Sequence, residues 1–268
     1  MIRTLFTTAC LACISLPAKA HEFWIDPVSH MVAPGDRIEA DIRVGEAYEG
    51  TAFGYIPRRF RRFDTASQGR VSPVNGTVGD RPALSMQAEE DGLLVAIHAT
   101  EDQHITWSEW GKFVSFLEHK DLTWGLAEHA ARGLSEENVR ERYSRYAKSL
   151  IAVGAGEGED VIAGLETEIV ALENPYTDDM SDGLDIRALY QGAPLDDVQI
   201  EVFRKAPDGT VTITTERTDA AGEVTIPIDP GARYMLDTVV LRPLEQTEEG
   251  DPAWETLWAN LTFEVPLP

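Results

Sequence analysis

The chain has 268 residues, with 46 acidic side chains against 23 basic ones and a formal net charge of −23. A field of that sign repels nucleic acid and anionic lipid and gathers cations. The two cysteines, Cys10 and Cys13, fall within the first twenty residues, so a product trimmed there has no disulfide and no thiolate metal site.

Those twenty residues carry the parts of a secretory signal. "MIR" is a positive start, "TLFTTACLACISL" an apolar run too short to span a bilayer, and "PAKA" a small-x-small cleavage site ending at Ala20. No lipid-attachment pattern precedes either cysteine. The expected product is therefore soluble, exported and begins at His21. No later segment has the ~18 apolar residues of a membrane helix, so no stable membrane insertion is expected.

From His21 to about Thr106 the pattern is short β runs between turn residues. "RIEADIRV" alternates, with Ile38, Ala40, Ile42 and Val44 on one face. "TAFGYIPRRFRRF" reads as a strand with an irregularity at Pro57, and "GLLVAIHAT" with "HITW" as a hairpin. Residues 108–150 read as a helical insertion. It comprises "EWGKFVSFLEH" capped by Ser108, "LTWGLAEHAARG" ending at Gly133, and "SEENVRERYSRYAKSL" capped by Ser135. In the last, Val139, Tyr143, Tyr146 and Leu150 follow 4-3-4 spacing, and Glu136–Arg140 and Glu141–Arg145 are i,i+4 pairs.

"NPYTDDMSDG" reads as an interdomain linker. Six further β runs follow: "LDIRALY", "VQIEVFRK", "TVTITTERT", "EVTIPI", "RYMLDTVVLRP" and "LWANLTFEV". The expected fold is mainly β: two immunoglobulin-like β-sandwich domains, residues 21–175 with the helical insertion and residues 183–268.

A histidine made N-terminal by cleavage offers its α-amine and ring Nδ1 to one metal, closing a six-membered chelate that suits Cu(II) and Ni(II). Five other histidines could complete such a site. His98 shares a strand face with Leu94 and Ala96, His104 opens the next run, and His30 sits in a loop. His119 ends the first helix and His129 lies ten residues on, where a break near Lys120–Asp121 would let both point at one place. There is no His-x-His and no HExxH. "IPRRFRRFD" is either an anion site or a solvated strand balancing nearby acids. The aromatics Trp107, Trp110, Phe113 and Trp124 read as helix-to-sheet docking residues. No nucleophile elbow or phosphate loop occurs, and apart from His21 nothing points to catalysis.

"HEFWIDP", "RVGEAYEG", "GDRPAL", "RERYSRYAKSLIAVG", "ENPYTDD", "TDAAGEVTIPI" and "ETLWANLTFEV" together resemble a family of exported bacterial proteins with a domain of unknown function. Its members are often described as the periplasmic component of nickel/cobalt-type ABC uptake systems. The resemblance implies an all-β periplasmic protein that binds a transition-metal ion (nickel, cobalt or copper) and serves an inner-membrane metal transporter. The family's opening histidine falls on His21, its "HKD"-like segment on His119 to Asp121, and its strand-end histidine on His98. Where other branches carry a further histidine, this chain has Val240 in "DTVVLRP". The expected metal ligands are thus His21, His98 and His119, with His129 in reserve. Two other readings differ in class: a copper oxidase using His21 in a histidine brace, and a non-catalytic interaction module.

Overall fold

The structure, a computed structural model, describes residues 21–267; the expected export signal and both cysteines lie outside the described residues. The first strands are β1 (Glu22–Pro27), β2 (Met31–Val32), β3 (Arg37–Glu46), β4 (Glu49–Phe53), β5 (Phe60–Ser67) and β6 (Arg70–Pro73). β7 (Leu84–Gln87), β8 (Gly92–Thr100) and β9 (Gln103–Trp107) precede two helices, α1 (Trp110–His119) and α2 (Trp124–Ala131). Then come β10 (Val139–Val153), β11 (Thr167–Ala171), β12 (Leu184–Tyr190), β13 (Ala193–Pro194) and β14 (Gln199–Lys205). The series closes with β15 (Val211–Arg217), β16 (Glu223–Ile226), β17 (Arg233–Pro243) and β18 (Trp254–Glu264).

A ten-stranded sheet runs β15-β14-β17-β18-β10-β8-β5-β6, with β2 and β9 also paired to β10. Strand alternation gives it two buried faces. Leu93, Val95 and Ile97 of β8 join Leu236, Leu257 and Leu261 in a core against the four-stranded sheet of β11, β12, β13 and β16. Leu94 and Ala96, one residue out of phase, join Phe23, Ile38, Ala40 and Ile42 of the other four-stranded sheet, β1-β3-β4 with β7. The mainly β sandwich expectation holds, but the two sandwiches share one middle sheet. β10 lies parallel to β18 over nine residue pairs, so the large sheet crosses the boundary drawn between residues 175 and 183.

The helical insertion is corrected. Helix is confined to α1 and α2, and residues 139–153 form the central strand β10. The apparent helical stripe divides between its two faces: Val139 packs with Trp107 and Trp254, whereas Tyr146 and Leu150 enter the opposite core. Pairing on both sides and burial of both faces outweigh the helical spacing. Ser108 and Ser135 therefore cap no helix, since α1 begins after Glu109 without a side-chain cap. Gly133 (φ 64) does end α2, as a left-handed residue after a helix should. The expected hairpin is also corrected. β8 and β9 do not pair with each other; both lie antiparallel to β10, end to end.

α1 docks through Phe113, Phe116 and Leu117 onto Trp107, Trp254 and Trp258, and α2 through His129 onto Trp254. No helix among the described residues is long and apolar enough to cross a membrane.

Candidate functional site

β1 pairs only with β3, and its free edge meets the large sheet, where the Thr262 hydroxyl donates to the Ile25 carbonyl at 2.8 Å. Alternation then sends its side chains to either side of that seam. Phe23 and Ile25 enter one core cluster, while Trp24 packs with Tyr48, Phe203 and Met235. β1 thus separates two polar sites on the same sheet face.

On the Phe23 side is a cavity of about 450 Å³. β5, β8 and β10 form its floor, β3 and β4 one wall, and the 3-10 turn Pro57–Arg59 its rim. The proline-marked irregularity read from the sequence is that turn. His98 stands at the floor, 1% exposed, with its ring 5.2 Å from Phe23, 4.6 Å from Phe60 and 5.0 Å from Phe63. Among the described residues neither ring nitrogen has a hydrogen-bond partner. Burial pushes its pKa down to about 3, so the imidazole is neutral at physiological pH, with one N–H and one lone pair unused.

Arg145 also lines this cavity. Its Nη2 donates to the His21 carbonyl at 3.2 Å, its backbone N–H donates to the Thr100 hydroxyl at 3.0 Å, and its guanidinium lies 4.6 Å from the Tyr143 ring. Its Nε is buried without a partner, and burial holds its pKa below the ordinary arginine value. Arg58 and Arg59 stand on the rim. The carboxylates that line the cavity, Glu101 and Asp102, both face Arg61.

On the other side of β1 is a buried ionic cluster. Lys120, 5% exposed, pairs with Glu201 and with Asp237 (3.0 Å), has Glu22 at 3.9 Å, and sits 4.7 Å over the Trp258 ring. Burial raises Glu22 to about 7 and Asp237 to about 6, against the pull of Lys120. Burial alone would lower Lys120, but Asp237, Glu201 and Glu22 hold it above the usual lysine value. The ammonium occupies the place among three carboxylates that a bound cation would need.

The four expected ligands stand apart. His21 is exposed at the start of β1, beside Val44 and Phe53, which also line the His98 cavity. Position 21 has the parity of Phe23, so the strand leads toward the His98 side. His119 turns to the ionic cluster, its Nε2 2.9 Å from Glu201. His129 is committed on both nitrogens: Nε2 to the Ser135 carbonyl (3.1 Å) and Nδ1 to the Trp254 indole N–H (3.0 Å). The chain does break after α1, with Asp121 at φ 57, yet the break sends His119 and His129 to different places. Among the described residues no three His, Cys, Asp or Glu side chains are grouped to hold a metal ion. His21 and His98 line neighbouring pockets, and of the four only His98 is buried with both ring nitrogens unpartnered.

Sequence reasoning missed Arg145, Lys120, Glu22, Glu201 and Asp237. Reading residues 135–150 as helix made Glu141 and Arg145 surface partners. On a strand, positions four apart are ~13 Å distant. Glu141 is instead buried, accepting from Trp107 Nε1 at 2.7 Å and from the Thr256 hydroxyl, and burial pushes it up to about 7. The signal for Glu201 and Asp237 was an acid inside an otherwise apolar strand, as in "QIEVF" and "YMLDTVV".

Fold and site together define a mainly β protein with a largely apolar cavity whose floor carries unpartnered polar groups. The family described as "Domain of unknown function (DUF4198)" matches residues 18–242, and the chain belongs to it. A search of curated proteins finds no match. Among solved structures, the chain is similar to a tetra-tandem repeat in the extending region of a large adhesion protein, at 10% identity and a TM-score of 0.23. That match covers 91% of this chain and 50% of the other. It is also similar to dimeric latent PorU from Porphyromonas gingivalis, at 12% identity and a TM-score of 0.19, covering 91% of this chain and 20% of that one. The chain thus spans half or less of the length of these two solved chains.

Proposed function

We propose that the protein is a periplasmic transition-metal-binding protein, with His21 and His98 as its histidine ligands, that hands nickel, cobalt or copper to an inner-membrane transporter. The single observation that carries this is His98: a neutral, buried imidazole with both nitrogens free, at the floor of a cavity beside the start of β1. A neutral ring competes for a metal without first losing a proton. His21, once N-terminal, would add an amine and a ring nitrogen, giving three nitrogen donors from two residues. His119 and His129 are engaged elsewhere, and the net charge of −23 favours a cation at the protein as a whole.

The test is titration of Ni(II), Co(II) and Cu(II) into protein that starts at His21, into the same protein with one extra N-terminal glycine, and into His98→Phe. The expected result is at least a tenfold loss of affinity in both altered forms. Equal affinity and stoichiometry in all three would overturn the reading.

A further inference from the structure

Arg145 has no part in holding a metal ion, because a guanidinium beside a metal site repels the ion. Within the protein its charge has aromatic neighbours, Tyr143 and Phe23 at 4.6 and 6.0 Å, and a backbone carbonyl. Among the described residues no carboxylate forms an ion pair with it, and the same holds for Arg58 and Arg59 on the rim. Asp102 and Glu101 do not compensate, since Arg61 engages both. A molecule with a net charge of −23 has therefore placed three unpaired guanidiniums around one cavity. Arg145 is half-buried with its Nε shut off from water and unpartnered, and a ligand that brings the missing charge relieves that cost.

The remaining walls are apolar, formed by Phe23, Ile42, Val44, Ile56 and Phe60. At the floor His98 has an unused donor and an unused acceptor. The volume, about 450 Å³, lies in the ordinary range for small-molecule sites. Apolar walls around one half-buried guanidinium, with Arg58 and Arg59 out on the rim, suit a monoanion with an apolar body.

We propose that this cavity binds a small organic carboxylate with an apolar body, the carboxylate on Arg145 and the body between Phe23 and Phe60, with His98 taking a further polar atom of the ligand. The inference stands on the unpaired arginines and the cavity, and it needs no metal.

The probe is phenylacetate, with phenylacetamide as an uncharged counterpart of the same shape, titrated calorimetrically into metal-free protein. Phenylacetate is expected to saturate with a Kd below about 1 mM, and phenylacetamide to bind at least tenfold more weakly. Arg145→Gln should bring phenylacetate down to the level of the amide. Arg58→Gln with Arg59→Gln, both at exposed positions, should weaken the acid about two- to threefold at low salt, with the difference shrinking at high salt. The ring-carbon NMR signals of His98 in unaltered protein read the same site without any variant, and should shift with the calorimetric Kd. Acid and amide binding alike, no saturation by about 10 mM, an unmoved His98 signal, or unchanged affinity in folded Arg145→Gln each overturns the proposal. Metal affinity of the same samples is a separate readout, so loss of either reading leaves the other standing.

Discussion

The two sides of β1 present the same raw material with and without a compensating charge. Both place ionisable side chains on one face of the large sheet, under the cover of a second layer. On the Glu22 side, Lys120 meets Glu201 and Asp237 directly, although one oxygen each of Glu22 and Asp237 has no hydrogen-bond partner among the described residues. On the Phe23 side, His98 and the Nε of Arg145 are equally removed from water yet have no partner, and a cavity stands over them. Buried polar groups in folded proteins are almost always satisfied, so a paired cluster explains itself through the fold. An unpaired group next to empty space calls for something from outside.

The largest effect expected is on the paired side. Lys120→Met would leave three carboxylates facing one another without their cation, and breaking a buried ion pair in this way costs roughly 3–5 kcal/mol. Urea unfolding at neutral pH measures it. If stability is unchanged, Lys120 does not neutralise that cluster and the contrast between the two sides collapses.

Next in size is a pH effect. Glu22 titrates near 7 when folded, against an ordinary 4.5, so the folded chain holds a proton that the unfolded chain has released in between. That stabilising contribution is complete below about pH 4 and is lost as pH rises through about 7. Glu22→Gln, permanently neutral, removes the loss. Relative to the unaltered protein it should gain on the order of 3 kcal/mol between about pH 4 and about pH 8. A difference that stays flat across that range would show that Glu22 is ionised throughout.

How much of this was legible in the sequence depended on the range of the interaction. "RIEADIRV" gave β3 its inward face, because alternation is local, and Ile38, Ala40 and Ile42 are indeed core. "RYMLDTVVLRP" coincides with β17 end to end. His98 was correctly read onto the face of Leu94 and Ala96 for the same reason. The failures came where distant strands decide. Glu201 and Asp237 are register partners on β14 and β17, and nothing short-range in either strand announces the other. β10 concealed itself because charges at 140, 141, 142, 145 and 148 mimic a solvated helix. In place, Lys148 is 1% exposed and bonded to Asp160 and to the carbonyls of Val161 and Ile169. The four expected histidine ligands were chosen one by one, and a shared centre is a property of the tertiary structure alone.

The histidines turn that lesson into a smaller measurement with opposite signs on the two sides. His98→Phe replaces a ring whose nitrogens bond to nothing with one that suits the surrounding Phe23, Phe60 and Phe63. Removing an unsatisfied buried polar group should leave stability unchanged or raise it by about 1 kcal/mol, while metal or carboxylate affinity falls. A stability loss instead would mean that His98 has a structural partner and that the cavity is incidental.

His119 should behave in the reverse sense and most weakly. Its side chain is 56% exposed and reaches Glu201 from outside, so the contact ranks with surface pairs worth up to ~1 kcal/mol. The hydrogen bond to Glu201 raises its pKa, although partial burial opposes the shift. A histidine raised in this way stabilises the fold while protonated, and the benefit fades as pH climbs through its folded value. His119→Gln should therefore lie slightly below the unaltered protein near about pH 6 and merge with it by about pH 9. Metal affinity should not move. If it falls as far as in His98→Phe, the metal reaches across β1 to the carboxylate side, and the two sites act as one.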